Sequence, residues 1–226
     1  MKVSICIPTY EMAGNGYQYL KFSLDKRLEQ TYTNVEVVIS DHSDTSEIFN
    51  LCQQYQNQLD IKYIKNKNNR GNSSANLNNG LKNCSGDVIK ILFQDDFFYD
   101  KHSLSNQVSI FTSGWLVTAC CHFDGLNFFN PFYPKYNDKI QYGNNTISSP
   151  SVLMIKNKDL LYFDENLIWL MDVDYYKRLF TVFGEPTICS RINVVNRQHN
   201  NQLTNLIPED LKTSEYNYIV KKYSNE

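Results

Sequence analysis

The chain has 226 residues, 42% of them hydrophobic, with 22 basic side chains against 24 acidic ones. That is enough apolar material for the core of one good-sized domain. A net charge of −2 excludes the strongly basic surface of a nucleic-acid binder.

The opening MKVSICIPTY is a very short apolar run broken by Pro8, unlike a signal peptide. No apolar window approaches the ~20 residues that span a bilayer. Six cysteines without CxxC spacing, mostly inside apolar runs, predict buried free thiols in a reducing compartment. The expectation is a cytoplasmic protein, in which the Asn-x-Ser/Thr matches at Asn72, Asn83 and Asn144 are accidental.

VSICI (3–7) predicts a strand ended by Pro8, and Tyr17, Leu20, Leu24 and Leu28 follow at helical spacing. VEVVIS (35–40) predicts a second strand. Ile48, Leu51, Cys52 and Tyr55 mark a second helix, and IKYIK (61–65) a third strand. Ser73 is the expected N-cap of a third helix whose Leu77, Leu81 and Cys84 share a face. VIKILF (88–93) predicts a fourth strand. Beyond Ser103 the pattern weakens. Residues 109–123 predict one or two strands, FFNPFYPKYNDK (128–139) a Pro-broken loop, and SVLMI (151–155) a strand. DVDYYKRLFTVFG (172–184) predicts a helix stopped by Gly184, and the last forty residues a polar wrap with a frayed end.

Alternating strands and helices predict an α/β fold with a parallel sheet and right-handed crossovers. Ligands of such sheets sit beyond the carboxyl ends of the strands. Four polar segments fall there: PTYE, DHSD, NKNNRGN and QDDFF. Asp95 and Asp96 are either a solvated turn or a site for a divalent cation that bridges to phosphate. Asp41 and Asp44 are either turn acids or helix caps, or Asp41 accepts hydrogen bonds from a base or ribose at the sheet edge. Asp172 is either a first-turn acid of its helix or a general base. His199 is either an exposed loop histidine or a ligand. Gly14 and Gly16 lack the remaining spacing of a dinucleotide fingerprint.

In this order the segments resemble the family 2 glycosyltransferases, inverting enzymes of GT-A fold. KVSICIPTYE resembles their first strand and nucleotide-edge loop, and VEVVISDHSD their second strand. NRGNSSANLNNGLKNCSGDVIKILFQDD resembles the run into the acidic metal motif. SSPSVLMIKNKDLLYFDENLIWLMDVDYYKRL resembles the acceptor half, and NRQHNN the histidine segment beyond it. The resemblance implies a Rossmann-like GT-A fold, a mostly parallel central sheet flanked by helices with a smaller acceptor-side region. Residues 1–226 would form a single domain, with a nucleotide-sugar half (1–100), an acceptor half (101–205) and a C-terminal tail (206–226).

For the site, the resemblance implies that Thr9, Glu11 and Asp41 line the nucleoside pocket, with Pro8, Tyr10 and Asp44 in the same two loops and Arg70 nearby. Asp95 would hold Mn²⁺ or Mg²⁺, His199 would touch the metal or the phosphates, and Asp96 the donor sugar or the metal shell. Asp172 would be the base. Phe93 stands where the family has an acid, and Met171 where it has Glu, which leaves Asp174 as the runner-up base; Leu77 stands where the family often has Arg. The implied reaction moves a sugar from a UDP- or TDP-type donor to a hydroxyl of a glycan or lipid-linked acceptor. The aromatic run at 128–136 either faces such an acceptor at the inner face of the membrane or packs as a surface loop. The alternatives are a catalytically inactive sugar-nucleotide-binding module, or another nucleotide-sugar enzyme. A nucleotidyltransferase would want Arg or Lys after the first strand, and PTYEMAGNG has neither.

Overall fold

All seven residues of the first strand, β1 (Val3–Thr9), are buried, because the strand is covered on both faces. In the computed structural model, which describes residues 1–112 and 114–224, Ile5 and Ile7 pack with Leu20 and Leu24 of α1 (Gly16–Leu28). Cys6 points the other way, against Leu77 and Leu81 of α3 (Ser73–Leu81). Burying each such aliphatic side chain contributes about 1.5–3 kcal/mol. The approach of α3 to β1 requires Gly80, since a Cβ there would stand 2.6 Å from Cys6 Sγ.

Between these elements lie β2 (Val35–Asp41), α2 (Glu47–Tyr55) and β3 (Asp60–Lys65). The expected α2 face is the buried one: Ile48, Leu51, Cys52 and Tyr55. β4 (Val88–Ile91) and the short β5 (Phe97–Phe98) flank the acidic pair. Then come α4 (Ser103–Ile110), β6 (Trp115–Phe123), β7 (Phe128–Phe132), β8 (Leu153–Lys156), α5 (Met171–Phe183), β9 (Thr187–Arg197), α6 (Leu203–Leu206) and α7 (Glu209–Lys222).

One nine-stranded sheet runs β3-β2-β1-β4-β8-β6-β9-β5, with β7 paired to β6. It is parallel across β3-β2-β1-β4 and between β6 and β9, while β8, β5 and β7 run antiparallel to their neighbours. The order reverses at β1, which has β2 on one side and β4 on the other. Such a switch point opens a crevice at the carboxyl ends of the strands.

Several expectations are corrected. The N-cap of α3 is Asn72, whose side chain accepts from Ala75 N; Ser73 is already helical, and its hydroxyl turns to Met171 Sδ at 3.2 Å. Cys84 lies beyond the end of α3. β4 stops at Ile91 because Phe93 N leaves the ladder to donate to Ser151 Oγ. Residues 103–110 are helix, and the strand begins only at Trp115; Ser113, within the expected strand, lies outside the described residues. The aromatic run is loop only from residue 133 onward; its first part is β7. Its Pro131 is tolerated because Asn130, at φ 44°, sits where the β6–β7 register shifts. The C-terminal forty residues do more than wrap the surface. β9 enters the sheet and α7 docks through buried Glu215 and Ile219; residues 225 and 226 lie outside the described residues. Gly184 ends α5 as expected, at φ 74°, and all six cysteines are free.

Candidate active site

Three loops meet at the switch point. The loop after β1 is tied to the acidic pair by Gln94, whose Oε1 accepts from Tyr10 N at 2.9 Å and whose Nε2 donates to Gly16 O at 2.7 Å. Gly16 has no alternative, because a Cβ would stand 2.3 Å from Tyr10 O. Arg70 gathers the rim of the second and third loops. It meets Asp44 Oδ2 at 2.6 Å and Glu11 at 3.2 Å, and donates to His42 O at 3.0 Å. Glu11 also accepts from Asp44 N. The guanidinium and these hydrogen bonds hold the Glu11 carboxyl below the usual range, against the opposing effect of burial.

Pro8, Thr9 and Asp41 are placed differently from expectation: all three are buried beneath the rim. Asp41 accepts from Thr9 Oγ1 (3.2 Å), Ser43 N (2.9 Å), Tyr63 OH (2.7 Å) and Lys65 Nζ (3.4 Å). Fully enclosed and fully partnered, it braces the loops rather than lining a pocket.

Asp95 and Asp96 face different ways. Asp96 is 4% exposed and accepts from Asn196 Nδ2 at 2.8 Å and Arg197 N at 3.1 Å. Burial, and then the neighbouring Asp95 charge, push its carboxyl well above the ordinary range. The Asp95 carboxylate reaches His199 Nε2 at 2.9 Å, and His199 Nδ1 is buried without a hydrogen-bond partner among the described residues. No group of three or more His, Cys, Asp or Glu side chains is arranged to hold a metal ion by itself among the described residues. One carboxylate plus one imidazole suits a cation that completes its shell with phosphate and water, as Mg²⁺ and Mn²⁺ do.

Arg197 carries no obvious signal in the sequence. Its guanidinium lies 5.0 Å from the ring centroids of Tyr19 and Phe22, 5.2 Å from Phe97 and 5.5 Å from Phe123. From this aromatic cage Nε donates to Asp95 O at 3.2 Å. The four rings come from three separate elements, Tyr19 and Phe22 from α1, Phe97 from β5 and Phe123 from β6, so no local motif marks the residue.

A cavity of about 520 Å³ extends from Asp95 and Asp96 to Asp172, walled by Phe93, Phe132, Trp169 and Met171. Asp172, half-buried in the first turn of α5, accepts from Asn145 Nδ2 and from Val173 N, both at 2.7 Å. Burial pushes its carboxyl up to about 7, against those hydrogen bonds. Asp174 is no runner-up. It is fully buried and paired with Arg178 (2.8 Å) and Lys222 (2.7 Å), with Tyr223 OH at 2.7 Å. A carboxylate so neutralised is a structural group. Asn145 and Trp169 also escaped the sequence reading, because a polar turn and a lone aromatic carry no spacing signal.

The family model for Glycosyl transferase family 2 matches residues 4–198. An uncharacterized glycosyltransferase of Rickettsia typhi is 26% identical over 230 residues, covering 92% of this chain and 68% of the relative. Further curated relatives are spanned over a third or less of their length. The fold is similar to that of Staphylococcus aureus TarS 1–349 in complex with UDP-GlcNAc, with TM-score 0.76 at 17% identity, covering 100% of this chain and 67% of that one. It is also similar to the mannosyltransferase PcManGT of Pyrobaculum calidifontis in complex with GDP-Man and Mn²⁺, with TM-score 0.61 at 15% identity over 100% of this chain and 64% of that one.

Proposed function

Because the chain belongs to glycosyl transferase family 2, we propose that it moves a sugar from a UDP- or TDP-type donor to a hydroxyl of a glycan or lipid-linked acceptor, with inversion. The observation that carries this reading is the single cavity shared by the acidic pair at the strand end and the Asp172 carboxylate. The TarS complex with UDP-GlcNAc supports the donor class, and the PcManGT complex with Mn²⁺ supports a divalent metal.

Asp172 takes the proton of the acceptor hydroxyl, and its Oδ2 is kept in place by Asn145. The acceptor oxygen bonds to the anomeric carbon as the bond to the diphosphate oxygen breaks. The nucleoside diphosphate leaves with that electron pair, and one displacement inverts the centre. A base whose pKa lies near the working pH is well matched to this task. Asp95 and His199 would hold the cation, Mn²⁺ or Mg²⁺, whose chemistry when bound is to neutralise the leaving diphosphate. Glu11, Asp44 and Arg70 rim the nucleoside side. Asp96 orients the metal loop and the donor sugar through Asn196.

No helix of the described residues is long and apolar enough to cross a membrane. Exposed Leu126 and Phe128, at and after the β6–β7 turn, and Tyr133 suit a lipid-linked acceptor met at the cytoplasmic face. A second reading, a sugar-nucleotide-binding module, is favoured by Phe93 in the cavity wall where the family has an acid.

The test is a panel of UDP-, TDP- and GDP-sugars with Mn²⁺, read as nucleoside diphosphate release and as binding heat. Release in an acceptor-stimulated manner is expected. Binding without turnover, unaffected by Asp172→Asn, selects the binding module, and the absence of both binding and release rejects both readings.

A further inference from the structure

Helix α5 carries Asp172 yet begins without a side-chain cap of its own; Leu170 stands at its N-cap. The N–H groups at a helix start need partners. Here the N–H of the N-cap residue Leu170 and those of the two residues before it find one carboxylate from the other end of the chain. Glu215 of α7 accepts from Ile168 N through Oε1 at 2.8 Å, and from Trp169 N and Leu170 N through Oε2 at 2.9 and 2.8 Å. Glu215 is 3% exposed. A carboxylate is tolerated at that depth only when fully compensated, and three backbone donors with the positive end of α5 supply the compensation.

The strap so held sends Ile168 and Trp169 into the cavity wall, and the next turn brings Asp172. Glu215 thus connects a helix that touches no reacting atom with the acceptor side of the site. The remainder of α7 is seated independently: Lys222 pairs with Asp164 and Asp174, and Tyr218 OH donates to Asp164. A change at position 215 therefore acts locally.

We propose that Glu215 is a positioning residue for sugar transfer, a helix cap supplied from the C-terminal helix that fixes the strap 168–170 and, through it, the place of Asp172. This rests on Asp172 being the base. The same carboxylate bears electrostatically on Asp172, adding to the burial that raises its pKa. The other ionisable groups that bear on Asp172 or line its cavity are Tyr176 on α5, Tyr10 after β1, His122 on β6, and Asp95 and Asp96 after β4. None of them hydrogen-bonds Glu215.

The experiment needs neither donor nor acceptor. Residue-resolved amide exchange and a carboxyl-carbon titration by NMR are compared for the parent, Glu215→Gln and Glu215→Ala. In Glu215→Ala the amides of Ile168, Trp169 and Leu170 should exchange at least about tenfold faster, while those of Ile5 and Val37 hold. Glu215→Gln, which keeps an acceptor but no charge, should fall between. In both variants the Asp172 midpoint should drop by a few tenths of a pH unit. Unaltered exchange at the three amides, equal acceleration throughout the sheet, or an unmoved Asp172 midpoint would each overturn the proposal. Should Glu215→Ala not fold, Glu215→Gln supplies both readouts. Since no sugar is transferred in either measurement, failure here is distinct from failure of the donor panel.

Discussion

His199 Nε2 lies 2.9 Å from Asp95 Oδ2, joining two loops 104 residues apart in the chain. The contact exists because β9 returns alongside β6 and delivers the residues after Arg197 to the same edge of the sheet as the end of β4. A strand-end acid and a loop histidine, each ambiguous alone, thereby become neighbours.

If that pair holds the cation, Asp95→Ala abolishes Mn²⁺-dependent binding of a nucleoside diphosphate. His199→Ala weakens it by roughly 10- to 100-fold. Isothermal titration with UDP, with and without Mn²⁺, measures both. Far-UV circular dichroism should be unchanged, and undiminished Mn²⁺-dependent affinity in Asp95→Ala would return the acidic pair to being a turn.

Asp172→Asn should lower acceptor-dependent turnover by roughly 10²–10⁴-fold while leaving donor binding intact. In the parent, activity should rise with pH through an apparent pKa near 7, set by the buried carboxyl. The sign for stability is opposite. The folded pKa is raised from the ordinary carboxyl value of 3.8 to about 7 by burial, so its favourable contribution is full below about 4 and is lost as pH rises to about 7. The melting temperature of Asp172→Asn should therefore gain on the parent across that window. A constant difference from pH 4 to 8 would refute the linkage.

Arg197→Lys should unseat the Asp95 loop, because an ammonium cannot stack flat within four rings while donating to Asp95 O. A roughly tenfold loss of Mn²⁺-dependent affinity is expected, with Arg197→Met no better. Affinity equal to the parent in both variants would show that the cage only packs.

Asp174→Asn leaves Lys222 and Arg178 without their shared buried partner. A destabilisation of about 3 kcal/mol is expected from breaking such a pair, measured by urea unfolding. Turnover per folded molecule should be unchanged. A selective loss of turnover without loss of stability would instead make Asp174 the base.

Much of the frame was legible in the residues themselves. Near-continuous apolar runs marked β1, β2 and β4, and helical spacing found the buried face of α2 and, in α1, Leu20 and Leu24, while Leu28 of the expected α1 face is exposed. The polar strand ends marked the edge on which the cavity between Asp95 and Asp172 opens, and the ordered segments pointed to the family. Where reading failed, a competing interaction had won. Asn72 displaced Ser73 as a cap because only its side chain reaches Ala75 N. Pro131 hid β7 because the bulge that accommodates it is a property of the pairing, not of the run.

The amino-acid sequence by itself determined the periods of its strands and helices and the polar character of the loops between them. Those are local properties, set by side chains a few residues apart. Only the tertiary structure decided which acids face the cavity and which are buried and paired. Asp172 and Asp174 are two residues apart, yet one opens to the site and the other is neutralised by Arg178 and Lys222. Asp41 is enclosed while Asp44 meets Arg70 at the rim. Solvation and partners fix the role of a carboxylate, and both depend on groups brought from distant segments. Glu215 is such a group, reaching back 45 residues to Leu170.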